Sequence, residues 1–96
     1  MVAIMMTHQR YAVESRDDVQ GKVTDVSGLA GRPLFHLSVF APPQLILDAG
    51  AEVYDVIEDD KRAIMKTEVY RSSAEAVLQE FRAIASRLLA SRRLNH

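Results

Sequence analysis

One apolar stripe of helical period, in the last quarter of the chain, constrains the fold more than any other feature. Ala74, Val77, Leu78, Phe81, Ile84, Ala85, Leu88 and Leu89 recur at three- and four-residue spacing. At about 100° per residue they line one side of a single long helix. Just upstream, Ser72-Ser73-Ala74-Glu75 fits a capping box: the Ser72 hydroxyl accepts from the third helical amide and Glu75 reaches back to the amide of Ser72. Arg92 falls in the middle of the stripe, so the packed part is expected to stop near Leu89 or Ala90, with residues 91–96 frayed. A helix with one apolar face needs a second layer to bury it.

The segments before it read as that layer. Residues 10–14 (RYAVE) and 20–26 (QGKVTDV) have β-branched and aromatic content around the polar stretch Ser15-Arg16-Asp17-Asp18, and Gly21 reads as a bulge. Residues 34–41 (LFHLSVFA) alternate, with Phe35, Leu37, Val39 and Ala41 on one face and Leu34, His36, Ser38 and Phe40 on the other. Pro42-Pro43 ends that strand because proline cannot donate to a ladder, and Leu45-Ile46-Leu47 reads as a short apolar link before the turn Asp48-Ala49-Gly50. A hairpin follows, from 52–57 (EVYDVI) through a charged tip to 63–70 (AIMKTEVY). A turn centred on Asp60-Lys61 sets Val56 opposite Met65, Tyr54 opposite Thr67 and Asp55 opposite Lys66. That register sends Tyr54, Val56, Met65, Thr67 and Val69 inward, and Asp55, Lys66 and Glu68 outward with Val53, Ile57, Ile64 and Tyr70.

The expected fold is therefore α+β: an antiparallel, mostly meandering sheet of four or five strands packed against one long C-terminal helix, in two layers. All 96 residues belong to one domain, with residues 1–8 frayed or the start of an edge strand. The core is expected from Phe35, Leu37, Val39, Val56, Met65, Val77, Phe81, Ile84 and Leu88.

Composition and charge narrow the functional classes. Cysteine is absent, which removes disulfides, thiolate chemistry and sulfur-ligated zinc and is compatible with the cytoplasm. The opening MVAIMM lacks the basic start and cleavage site of a signal peptide, and no stretch approaches the ~20 apolar residues of a membrane span. The net charge is −1, well short of a dedicated nucleic-acid binder. The C-terminal residues 72–96 are nonetheless basic, with four arginines against two glutamates.

Four constellations invite a chemical reading. Gly28-Leu29-Ala30-Gly31 beside Arg32 has the look of a phosphate-holding loop, but such loops lead from a strand into a helix, and here Pro33 and an alternating strand follow. A strand-to-strand turn is expected. His36 lies on the same strand face as Ser38, without the sharp nucleophile turn of a hydrolase, while His8 and His96 sit near the ends. The acidic runs Asp17-Asp18 and Glu58-Asp59-Asp60 lack the alternating oxygen spacing of a calcium loop, so no metal and no cofactor is expected. Arg82, Arg87, Arg92 and Arg93, with Arg32, form the possible anion or nucleic-acid contact.

Two surfaces remain for protein partners. On the helix, Ala83, Ser86 and Ala90 continue from Gln79 as a line of small or neutral side chains along which a second helix could approach. On the sheet, the outward Val53, Ile57, Ile64 and Tyr70 form a semi-apolar patch. Polar groups are scattered over turn tips rather than gathered around a nucleophile, base or metal set. The expectation is a small soluble interaction module without catalytic activity, with homodimerisation possible and no membrane partner; the alternative is a nucleic-acid-binding accessory protein that uses the arginine-bearing helix.

Overall fold

A computed structural model describes residues 10–57 and 61–94. The possible edge strand at 1–8, His8, the hairpin tip 58–60 and His96 all lie outside the described residues. The described residues form six strands and three helices: β1 (Arg10–Arg16), β2 (Val19–Asp25), α1 (Ser27–Ala30), β3 (Phe35–Ala41), α2 (Pro43–Asp48), β4 (Val53–Ile57), β5 (Arg62–Met65), β6 (Tyr70–Arg71) and α3 (Ala74–Leu94). They form one antiparallel sheet in the order β1-β2-β3-β5-β4, with β6 pairing the other half of β3, and α3 packed across one face. The fold is α+β.

The order follows from where chain reversal is cheap. β1, β2 and β3 run as a meander. Pro42 and Pro43 then stop β3, and Pro43 opens α2, where a missing amide hydrogen costs nothing. The apolar Leu45-Ile46-Leu47 segment, expected as a plain link, is the body of this helix: Leu45 and Ile46 enter the core and Leu47 faces out. After α2 the chain runs along the outer edge as β4 and returns as β5 between β4 and β3.

The core is a single cluster in which Val19, Val23, Leu37, Val39, Ala41, Ala63 and Met65 of the sheet meet Val77, Phe81, Ile84, Ala85 and Leu88 of α3. The helical stripe is as the periodicity predicts. Its start is one residue later than expected: Ala74 is the first helical residue, and Ser73 rather than Ser72 caps it by accepting from the Ala76 amide at 3.2 Å. Its end is later too, since the helix continues to Leu94 and Ser91 is buried. Gly21 forms no bulge. It pairs regularly with Glu14 and Val39, and a Cβ there would overlap the Phe81 ring, so glycine lets the largest core side chain lie directly on β2.

The hairpin departs most from expectation. Val56 pairs with Ala63 and Asp55 with Ile64, two residues from the expected register, and Val53 reaches Met65 only through a bulge at Tyr54. The bulge turns Tyr54 outward, where it is 72% exposed, and leaves Val53 rather than Tyr54 packed against the core. Val56 is not a core residue; it is 44% exposed on the edge strand. The expected Asp55–Lys66 pair does not form, and Lys66 instead reaches Glu52 at 3.8 Å.

Candidate interaction surface

With α3 on one face of the sheet, no other described helix covers the opposite face, and strand alternation decides what that face displays. His36, Ser38 and Phe40 of β3 point there, flanked by Lys22 and Gln20 of β2, Val13 of β1 and Ile64 of β5. Lys22 Nζ stands 4.5 Å from the centre of the Phe40 ring and the Arg62 guanidinium 5.7 Å from it. Arg62 is held across the strands by donating to Gln20 Oε1 at 3.0 Å. Both cations thus lean over one aromatic face, which the ring quadrupole favours. Asp17 and Asp18 line a shallow depression shared with Lys61 and Arg62 at the end of this face.

Beside Phe40 lies a groove that a strand irregularity creates. β3 pairs with β5 through Val39, Phe40 and Ala41, and with β6 through Phe35 and His36. Between these ladders Leu37 and Ser38 stand opposite the four residues 66–69. The surplus residues bow outward. They are tied to β3 by one side chain and one backbone group: the Thr67 hydroxyl donates to the Leu37 carbonyl at 2.7 Å, and the Leu37 amide donates to the Val69 carbonyl at 3.2 Å. These bonds replace part of the interrupted ladder. The resulting cavity of about 430 Å³ is lined by His36, Ser38, Tyr54, Ile64, Glu68 and Tyr70, among others. His36 and Tyr70 are cross-strand partners whose ring centres are 4.7 Å apart. Burial lowers the His36 pKa below the ordinary histidine value, keeping the imidazole neutral at pH 7.

The residues singled out for a sheet patch divide. Ile57, Ile64 and Tyr70 belong to the open face, and Val53 does not. Glu68 joins the patch on the outward side where the sequence register put it, and Phe40, Lys22 and Tyr54 join it unannounced. For Phe40 the signal was the second face of the alternating strand. For Tyr54 there was none, because no residue marks the bulge.

On the helix, Ala83 and Ser86 are exposed and Ala90 is half-buried, but the line is crossed: Arg16 Nη1 of β1 donates to Ser86 Oγ at 3.0 Å. Arg82 is engaged as well. Its Nε and Nη2 donate to the two Glu14 oxygens at 2.9 Å each, and Nη1 reaches Glu75 at 3.4 Å. This fork raises the Arg82 pKa and lowers that of Glu14, chiefly through the shared hydrogen bonds. Arg87 is exposed, and Arg92 and Arg93 lie in the last turns of α3.

Arg32 sits far along the chain in the loop between β2 and β3, and the loop's own bonding answers the phosphate question. The amides of Leu29 and Ala30 donate to the Val26 carbonyl, and that of Gly31 to the Ser27 carbonyl. Gly31 adopts a φ of +74°, closing the single turn of α1. Ser27 fastens both ends: its amide donates to Asp25 Oδ1 and its hydroxyl accepts from the Leu34 amide, each at 2.9 Å. Hydrogen bonding from the Ser27 side chain, and next from its amide, lowers the Asp25 pKa. The amides of Ser27, Leu29, Ala30, Gly31 and Leu34 are thus already used within the loop.

Among the described residues no three histidine, aspartate or glutamate side chains come together as a metal site, and no helix is long and apolar enough to cross a membrane. No protein-family model, no curated protein and no solved structure matches this chain.

Proposed function

We propose that the protein is a non-catalytic binding module that engages its partner through the open face of the sheet. The observation that carries this reading is the bowed segment 66–69. It opens an aromatic-walled groove beside Phe40 on the sheet face that α3 does not cover among the described residues. An antiparallel sheet can leave one face to water by making it polar. This face instead carries Tyr54 at 72% and Tyr70 at 48% exposure, with Ile64 and Phe40 between the strands. Exposed tyrosines with an apolar body and a polar tip are characteristic of binding surfaces. The helix face offers less, since Arg82 and Ser86 already bond to β1. The same bonds leave the arginine-tracking nucleic-acid reading with fewer free cations.

The test is chemical labelling of the tyrosines. Tyr54 and Tyr70 should be modified readily in dilute purified protein and protected when the protein is labelled in an extract of its own host. Equal modification in both settings would remove the sheet face as the binding surface.

A further inference from the structure

We infer that the partner of the open sheet face is the same face of a second copy of this chain. The inference rests on the reading that this face is the binding surface, and it names the occupant. Charge is spread unevenly over the face: Lys22, Lys61 and Arg62 outnumber Asp17 and Asp18 at one end, and Glu52, Asp55 and Glu68 outnumber Lys66 at the other. Around Phe40 stand Lys22 and Arg62, neither in an ion pair among the described residues. In the neighbouring groove Glu68 lies with Tyr54 and Tyr70. Lys66, which lines the same groove, faces Glu52, its amide donating to the Glu52 carbonyl at 2.9 Å and its Nζ lying 3.8 Å from the carboxylate. Glu68 has no ion-pair partner among the described residues, and with Glu52 in the adjoining depression it leaves this end of the face with excess negative charge beside the two tyrosines.

A carboxylate among tyrosine rings is a receptor for a cation. Two such cations project from the adjoining half of the same face. A closed dimer is built on a twofold axis and needs a self-complementary surface. An axis lying in the plane between two stacked sheets, midway between the Phe40 cluster and the groove, carries each cationic half onto the partner's acidic groove. An axis directly over Phe40 would pile four cations together, so charge selects the offset arrangement. Ile64, which touches both halves, then lies at the centre of the contact. A polyanion satisfies only half of this surface: nucleic acid drawn to Lys22 and Arg62 meets Glu68 beside them, and a chain of net charge −1 gives it no long-range attraction.

Sedimentation velocity over a concentration series tests the pairing. The wild-type chain should move from one-copy to two-copy mass as concentration rises. Lys22→Glu and Glu68→Lys should each weaken association about tenfold or more, and the double variant, which exchanges the two signs, should return to within about threefold of wild type. Thermal melts matching wild type establish that the variants are folded; Glu68→Gln, which removes the charge without reversing it, should weaken association less than Glu68→Lys. A wild-type chain that stays at one-copy mass at the highest concentration overturns the inference, as does a double variant no better than the single ones. Retention of a one-copy chain on single-stranded nucleic acid would reassign Lys22 and Arg62 to a polyanion and overturn it too. A one-copy chain whose tyrosines are protected in host extract keeps the binding face and loses the dimer. A one-copy chain whose tyrosines label equally in both settings loses both.

Discussion

β3 belongs to two surfaces at once, and comparing them isolates what burial demands of a side chain. Toward α3 it presents Leu37, Val39 and Ala41, all fully buried; toward the open side it presents His36, Ser38 and Phe40, each only half-covered. The backbone is shared, so the difference lies entirely in what faces each side. The covered face is aliphatic, close-packed and without polar atoms, because any unpaired polar group there would cost its full desolvation. The open face mixes rings, a hydroxyl and neighbouring cations, each able to bond to water or to a second surface. A core face tolerates one solution, whereas an open face keeps chemistry available.

The sharpest way to break that comparison is to remove one phenylalanine from each side. Phe81 is fully buried against Gly21 and the strands, so Phe81→Ala should destabilise by about 3–5 kcal/mol as a cavity substitution. Phe40 is half-covered and held mainly under Lys22 and Arg62, so Phe40→Ala should cost about 1 kcal/mol. Denaturant unfolding of the two variants at low protein concentration measures both. Equal losses would mean that the open face behaves as core, and the two-surface description would fail.

The two faces were not equally legible in the sequence. Period is a strong signal where it is uninterrupted: the stripe from Ala74 to Leu89 and the alternation of β3 both appear in the structure as read, because packing against a flat layer enforces them. What escaped were departures from period. The bulge at Tyr54 adds one residue to β4 and reverses which neighbour points inward. The bow at 66–69 adds two more between β5 and β6. Neither is marked by glycine or proline, since each is held by long-range bonds such as that from Thr67 to the Leu37 carbonyl. Those irregularities build the groove, so the candidate site was the least legible part of the fold. Pro42-Pro43 was read correctly as the end of β3 but not as the beginning of α2. The same residue type serves both purposes.

A smaller effect sharpens the comparison on the helix side, at the rim where charge replaces packing. The fork between Arg82 and Glu14 joins α3 to β1, and both partners remain partly solvated. Because Glu14 has a lowered pKa in the folded chain, its contribution is complete above the ordinary carboxylate range. It is lost as pH falls below that range through the depressed native value. Glu14→Gln should therefore lower the melting temperature at neutral pH by much less than Phe81→Ala, and the gap from wild type should close on acidification. A gap that persists in acid would mean that the side chain acts by packing rather than by charge.

The smallest expected effect reads the open face itself, through His36. Burial depresses the pKa of its imidazole, so the unfolded chain takes up this proton more readily than the folded one. Stability from this group is thus lost as pH falls through the ordinary histidine value toward the lower native one, and His36→Asn should flatten that slope. The ring resonances followed by NMR should titrate below a free histidine in dilute solution. Covering the face removes more water from the imidazole and brings a cationic half of the partner toward it, and both changes disfavour the charged form. The midpoint should then fall further as protein concentration rises. A midpoint independent of concentration would mean that this part of the face stays wet, and the covered surface would have to lie elsewhere on the molecule. A midpoint that rises would mean that an acidic group approaches His36 on association, which the offset pairing of Lys22 with Glu68 does not provide.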